Sequence, residues 1–318
     1  MSGQLPAPTE QPLAAIDIGT NTIRLLVATP VSADGVVQLQ SLLTRTETVR
    51  LGFGVEQSGR IAPERLARAV ATVEEFRQLA AQYNAAPVLV AATSAVRDAA
   101  NGAELQEQIA ATSGLEVQIV AGMREAELTF IGATAGESLA GTLLVADLGG
   151  GSLELIIARN GEISKVDSLQ IGSGRLTERH VTTDPPDQPA IAAVEADARS
   201  NLAAFAHGVP AIARGIIVGG TATSLLVLAP RPTETRTLTH RRLTAAAVLL
   251  TGAPAAALAT ETGLDPERVR TLPAGVGIIR ALLQAFDLPL ASVGSGGIRE
   301  GLLLEHVRGS GRSAAQSV

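Results

Sequence analysis

Two segments far apart in the chain share one pattern: an apolar run ends on aspartate, a glycine turn with a hydroxyl residue follows, and a second apolar run returns. The first is Asp17-Ile18-Gly19-Thr20-Asn21, between an apolar run starting at Leu13 and another over Ile23 to Ala28. The second is Asp147-Leu148-Gly149-Gly150-Gly151-Ser152, between Thr142 to Leu148 and Leu153 to Ala158. Each reads as strand, tight turn and returning strand. A single Asp-x-Gly turn is an ordinary hairpin feature. Two copies in corresponding positions imply duplication at the scale of a domain. A glycine turn leaving a strand also lets backbone N–H groups approach phosphate oxygens, because glycine carries no side chain and tolerates positive φ. Thr20, Asn21, Thr22 and Ser152 add side-chain donors.

The duplication fits the length, since 318 residues exceed what one core usually organises. Hydrophobic residues make up 46% and aromatics 2%, so Ala, Val, Leu and Ile must fill the core, as buried sheets flanked by helices allow. An α/β class follows. With no cysteine, disulfides, thiolate metal sites and cysteine nucleophiles are excluded. No apolar run reaches the roughly 18 residues of a membrane span, and Met1 to Pro12 has neither basic residues nor an apolar core; a cytoplasmic protein without a membrane partner is expected. The formal net charge of -6 removes the global field by which duplex nucleic acid is held, so a phosphate ligand must meet a local basic cleft.

Between the two turns, Ala62 to Tyr83 carries Pro63 in its first turn and an apolar stripe through Leu66, Ala69, Val70, Val73, Leu79 and Ala80, predicting an amphipathic helix. Pro87 to Ala92 and Glu116 to Ala121 read as strands; Asn101 to Thr112 reads as a helix capped by Asn101 and ended by Gly114. Farther on, helices are expected over Pro189 to Phe205, Val276 to Phe286 and Ile298 to Val307, and a strand over Gly215 to Val218. Ala229 to Leu243, with its prolines, reads as an exposed loop able to offer Arg231, Arg236, Arg241 and Arg242.

Several residues carry candidate chemistry. Asp17 and Asp147 end their strands beside the phosphate turns, where bridging Mg2+, with Mn2+ as the alternative, would resolve the repulsion; the plainer account is an Asx turn. Arg97, in Thr93-Ser94-Ala95-Val96-Arg97-Asp98, could fork onto phosphate, or simply pair with Asp98 or Glu104. Glu125, in Gly122-Met123-Arg124-Glu125-Ala126-Glu127, is a candidate general base, or a first-turn acid favoured by the helix dipole. Gly219-Gly220-Thr221-Ala222-Thr223-Ser224 and Gly294-Ser295-Gly296-Gly297-Ile298-Arg299-Glu300-Gly301 are further turns that could bind an anion or merely open helices. The four histidines, His180, His207, His240 and His306, show no ligand spacing.

Four motifs in order, Ala-Ile-Asp-Ile-Gly-Thr-Asn-Thr-Ile-Arg, Ala-Thr-Ser-Ala-Val-Arg-Asp-Ala, Asp-Leu-Gly-Gly-Gly-Ser-Leu-Glu and Gly-Ile-Arg-Glu-Gly, resemble the exopolyphosphatase and guanosine pentaphosphate phosphohydrolase (Ppx/GppA phosphatase) family in its short two-domain form. The resemblance runs from about Leu13 to Val307. It implies a duplicated actin-like (ASKHA, ribonuclease H-like) α/β fold with an interlobe active-site cleft. The implied division is a tail at 1–12, domain I at 13–125 completed by a C-terminal helix at 297–308, domain II at 126–296, and a tail at 309–318. It further implies Glu125 and Glu154 as catalytic acids, and Asp147, Glu154 and Asp17 around a divalent metal. Gly19, Thr20, Asn21, Arg97, Gly149, Gly150, Gly151, Ser152, Gly220 and Thr221 are the implied phosphate-binding residues. Arg124 stands where many members carry a second acid, and Leu153 where threonine is frequent.

The expected activity is Mg2+-assisted hydrolysis of the terminal phosphoanhydride of inorganic polyphosphate, releasing orthophosphate, with guanosine pentaphosphate (pppGpp) or nucleoside triphosphates as alternative substrates. A kinase of the same fold, or a regulator that binds without turnover, are the readings from other classes. The resemblance alone implies a homodimer.

Overall fold

The computed structural model describes residues 11–33, 36–229 and 236–315. Its first half forms β1 (Leu13–Ile18), β2 (Thr22–Ala33), β3 (Val36–Thr48), α1 (Val55–Ser58), α2 (Pro63–Gln82), β4 (Val88–Ala92), α3 (Ser94–Asp98), α4 (Gly102–Ser113), β5 (Val117–Ile119) and α5 (Gly122–Ala133). The second half forms β6 (Thr142–Leu148), β7 (Leu153–Arg159), β8 (Glu162–Leu169), α6 (Ser173–His180), α7 (Gln188–Ala206), β9 (Arg214–Val218), α8 (Gly220–Leu228), β10 (Thr237–Thr239), α9 (His240–Gly252), α10 (Ala255–Thr262), α11 (Pro266–Ala285), β11 (Leu290–Val293) and α12 (Ile298–Ala315).

The strands make two mixed sheets, ordered β3-β2-β1-β4-β5 and β10-β11-β9-β6-β7-β8. In each, a hairpin pairs antiparallel and a later strand adds parallel to its first strand, β4 to β1 and β9 to β6. The two hairpins share the same pairing register. Asp17 faces Arg24 across the first, and Asp147 faces Glu154 across the second. Each turn is closed by the same bond, Gly19 N–H to the Thr22 carbonyl at 3.0 Å and Gly149 N–H to the Ser152 carbonyl at 3.1 Å.

Apolar side chains cover both faces of each sheet. On the first, α2 contributes buried Leu66, Ala69, Val73, Phe76 and Ala80, a helical stripe matching the sequence pattern, and α4 adds Leu105 and Ile109. The second sheet lies between the large helical layer that includes α7, α8, α9 and α11, and the single helix α5 on its other face. α12 returns to the free face of the first sheet, with Leu302 and Leu303 against Ala15, Leu26 and Ala91. There it also packs along α5, and the approach is close: a Cβ on Gly301 would lie 2.0 Å from the Leu128 carbonyl oxygen, and one on Gly132 would lie 2.1 Å from that of Gly297.

The structure departs from the sequence expectations at several points. β3 and β8 were not foreseen, because both run along sheet margins with broken alternation; β8 has no fully buried residue. Asn101 precedes α4 but does not cap it; its side chain bridges the backbone N–H and carbonyl of Ile61 at 2.8 and 3.0 Å. The helix expected at Val276 begins at Pro266, capped by Asp265, and carries buried Pro273 inside it. The expected loop from Ala229 is largely ordered from Thr237 onward as β10 and α9; 230–235, with Arg231, lie outside the described residues. Arg242 is buried rather than offered to a ligand, donating to the carbonyls of Ala229, Thr237 and Leu226. The helix expected to end at Val307 runs to Ala315, through the first part of the segment read as a tail.

Candidate active site

The two hairpin turns meet face to face. A Cβ on Gly150 would lie 2.7 Å from Asn21 Nδ2, and one on Gly151 would lie 2.7 Å from Thr20 Oγ1 and 2.5 Å from Ser94 Oγ. Glycine is required there by the opposing turn rather than by backbone conformation. The third turn does need a special backbone: Gly219 has φ 102°, and a Cβ there would lie 2.9 Å from Asp147 Oδ1. Between the turns lies a cavity of about 50 Å3 lined by Asp17, Gly19, Thr20, Asn21, Glu125, Asp147, Gly149, Gly150, Gly151, Ser152, Gly219 and Gly220. It opens past Asp17, Asp147 and Gly220 into a basin of about 390 Å3 lined also by the Gly294 to Gly297 turn.

Asp17, Glu125 and Asp147 line this cavity, Glu154 lies buried across the hairpin from Asp147, and all four carboxylates resist ionisation. Burial pushes the Asp17 carboxyl up to about 6 despite Arg24 and Arg299. Burial also raises Asp147, which accepts a bond from Thr129 Oγ1 at 3.0 Å. Glu154 rises to about 7 through burial and the neighbouring Asp147 charge. Glu125 rises well above the usual range through burial and then Glu154, opposed by Arg97. Two oxygens in this set, Asp17 Oδ1 and Glu154 Oε2, are buried with no hydrogen-bond partner. Among the described residues no three acids or histidines form a closed metal cage. A hard divalent cation taking one or two carboxylates and completing its shell with water and phosphate oxygens fits those orphaned atoms.

Two expected phosphate ligands are placed differently. Arg97 does not line the cavity. Its Nη1 donates to Glu125 Oε2 and to the Val120 carbonyl, each at 2.9 Å, so it acts on the site through Glu125. Thr221 is 1% exposed and its hydroxyl is shared with Ser173 at 3.0 Å, so it belongs to the core under the turn while Gly220 faces the cavity. Arg124 pairs with Glu127 and with Glu305 on α12, away from the cavity.

Sequence reading missed Arg24 and Arg268. Both line the cavity and the basin, and their guanidinium groups converge on Gly220, where a Cβ would lie 2.2 Å from one and 3.1 Å from the other. Burial and the Arg24 charge hold Arg268 down to about 10, as follows where a buried cation has a second cation beside it. Arg24 could have been found from the pairing of the first hairpin, and Arg268 from the Asp265-Pro266 helix start.

The model of the Ppx/GppA phosphatase family matches residues 30–309. The chain is 36% identical over 225 residues to exopolyphosphatase 2 of Mycobacterium tuberculosis, covering 68% of this chain and 70% of that protein. It is 30% identical over 305 residues to exopolyphosphatase 1 of the same organism, covering 92% and 87%. The crystal structure of the Aquifex aeolicus member of the Ppx/GppA family aligns with a TM-score of 0.76 at 25% identity, over 94% of this chain and 98% of that one. Two mixed sheets with matching hairpins, a cleft of carboxylates and glycine turns between them, and a family match over most of the sequence lead to one conclusion: this chain belongs to the Ppx/GppA phosphatase family.

Proposed function

We propose that this protein is an exopolyphosphatase that hydrolyses the terminal phosphoanhydride of inorganic polyphosphate to release orthophosphate with the help of a divalent cation. The observation that carries the reading is the buried carboxylate cluster facing two glycine turns. The turns supply N–H donors for a terminal phosphate, and Glu125, held by Arg97, is placed to take a proton from attacking water. The relatives' names support this substrate.

Burial and the Glu154 charge raise the proton affinity of Glu125, so a deprotonated Glu125 is a stronger base than a free carboxylate. One or two of Asp17, Asp147 and Glu154 would hold Mg2+, with Mn2+ as the alternative, water and phosphate oxygens would complete its shell, and the bound cation would neutralise charge on those phosphate oxygens. Ser168 fixes one Glu154 oxygen at 2.8 Å and leaves the other free to receive the ion. Arg24 and Arg268 would hold the phosphates behind the one being transferred. Water forms the new P–O bond as the bond to the shortened chain breaks, so no other acceptor is needed, which separates the reading from a kinase.

Among the described residues no helix is long and apolar enough to cross a membrane. Action in the cytoplasm and a homodimeric state complete the proposal; gel filtration with light scattering tests the latter. The deciding experiment compares phosphate release from long-chain polyphosphate, guanosine pentaphosphate and ATP, with and without Mg2+, by wild type and Glu125→Gln. Mg2+-dependent release from polyphosphate, lost in the variant, is expected; equal rates in the two proteins would sink the role of Glu125, and preference for guanosine pentaphosphate would replace the substrate.

A further inference from the structure

A second opening leads away from the catalytic cavity. Arg268 and Thr22, which line that cavity, also line an open groove of about 620 Å3 between β3, α2 and the start of α11. Arg268 faces the cavity, the basin and the groove alike, so it stands at their junction. Four arginines line the groove, Arg50, Arg65, Arg68 and Arg268, against Glu47, Asp265 and Glu267. Two of these acids are engaged: Asp265 caps α11, and Glu267 pairs with Arg50 at 2.7 Å. Arg68 is exposed, and its guanidinium makes no hydrogen bond or ion pair with any described residue. Thr46 and Thr48 of β3 line the same wall, adding hydroxyl donors.

The lining is wrong for a nucleoside. Among the described residues no aromatic ring lines the groove, and the nearby Phe53 ring already carries the guanidinium groups of Arg50 and Arg65 at 4.4 and 4.9 Å, whereas bases are held by stacking on free aromatic faces. Guanidinium forks and hydroxyls spaced along an open trough suit a repeating anion. The inner wall is tied to the reaction site, since the backbone N–H groups of Val49 and Arg50 both donate to the carbonyl of Asn21 in the first phosphate turn.

We propose that this groove is a distal binding site for the trailing phosphates of a polyphosphate chain, entered past Arg268 and held at its outer part by Arg68. The proposal rests on polyphosphate being the substrate and adds selection for chain length. The test measures kcat and KM on long-chain polyphosphate and on tripolyphosphate, which is too short to fill both cavity and groove, for the full chain and for Arg68→Gln, Arg68→Lys and the control Arg199→Gln on α7. In Arg68→Gln the KM for long chains should rise about three- to tenfold with kcat retained, the long-to-short preference should shrink accordingly, and Arg68→Lys should recover part of it. Equal rises on both substrates, the same rise from Arg199→Gln, or an unmoved long-chain KM would overturn the groove while leaving the hydrolase reading intact. A wild-type protein that releases phosphate from neither chain would overturn the hydrolase reading first.

Discussion

Glu125 and Glu154 both gain protons relative to free glutamate, and the consequences differ with what each does. For Glu125, the amide in Glu125→Gln can still accept from Arg97 but cannot take a proton, so kcat should fall about 10^2- to 10^4-fold with little change in KM. For Glu154, the folded value of about 7 lies above the unfolded one, so the folded state binds the proton more tightly. The resulting stability is full below the unfolded value and is lost as pH rises toward 7. In chelator-treated protein, Glu154→Gln should therefore be more stable than wild type above pH 7, on the order of 2 kcal/mol, and this gain should vanish toward the acid end of the window. Thermal melts across pH read this directly, and a gain that persists unchanged under acid conditions would contradict the buried-charge account. Arg24 extends the same reasoning, because the hairpin that faces Asp147 with an acid faces Asp17 with a cation.

At the level of elements, the contact between α5 and α12 holds the cleft in shape. α5 carries Glu125 and lies on the second sheet, while α12 lies on the first. They approach until backbone meets backbone at Gly132, Gly297 and Gly301, so neither helix can move without the other. Gly301→Ala should destabilise the protein by about 1 to 3 kcal/mol, because the carbonyl it strikes cannot rotate away. Gly309→Ala on the same helix meets nothing within 4 Å and should stabilise slightly, by about 0.5 kcal/mol. Denaturant melts of the pair separate packing from helix propensity. In the turns, Gly151→Ala would press on Thr20 and Ser94, whose flexible side chains can yield, so it should lower activity more than stability.

Across the whole molecule, the two lobes are drawn together on the far side of the turns by ion pairs. Arg179 bonds Glu56, with Nε at 2.8 Å, and Arg175 bonds Asp98 at 3.0 Å. These pairs are partly exposed, and such pairs contribute little each, about 0 to 1 kcal/mol. They bias closure without locking it. Glu56→Gln should leave the melting temperature almost unchanged while speeding hydrogen exchange at residues 149–152, and high salt should make wild type resemble the variant. Unchanged exchange would mean that the turns are held by their own contacts alone.

The sequence by itself determined the two hairpins, the α/β class, the duplication and the acids at the strand ends, because these are encoded locally: alternation writes strands, glycine after aspartate writes the turns, and the stripe of α2 writes its buried face. It could not show that Arg97 is bonded to Glu125 outside the cavity lining, that Thr221 belongs to the core, or that α11 continues through Pro273. Those depend on which long-range partner wins a side chain, and on packing that outweighs local helix-breaking preference. Arg24 and Arg268 lie 244 positions apart and meet at Gly220 only through the tertiary fold. The acids are legible in one dimension because they sit in motifs; of the two arginines, Arg24 ends such a motif and faces Asp17 across the first hairpin, but its meeting with Arg268 of α11 is made by the fold alone.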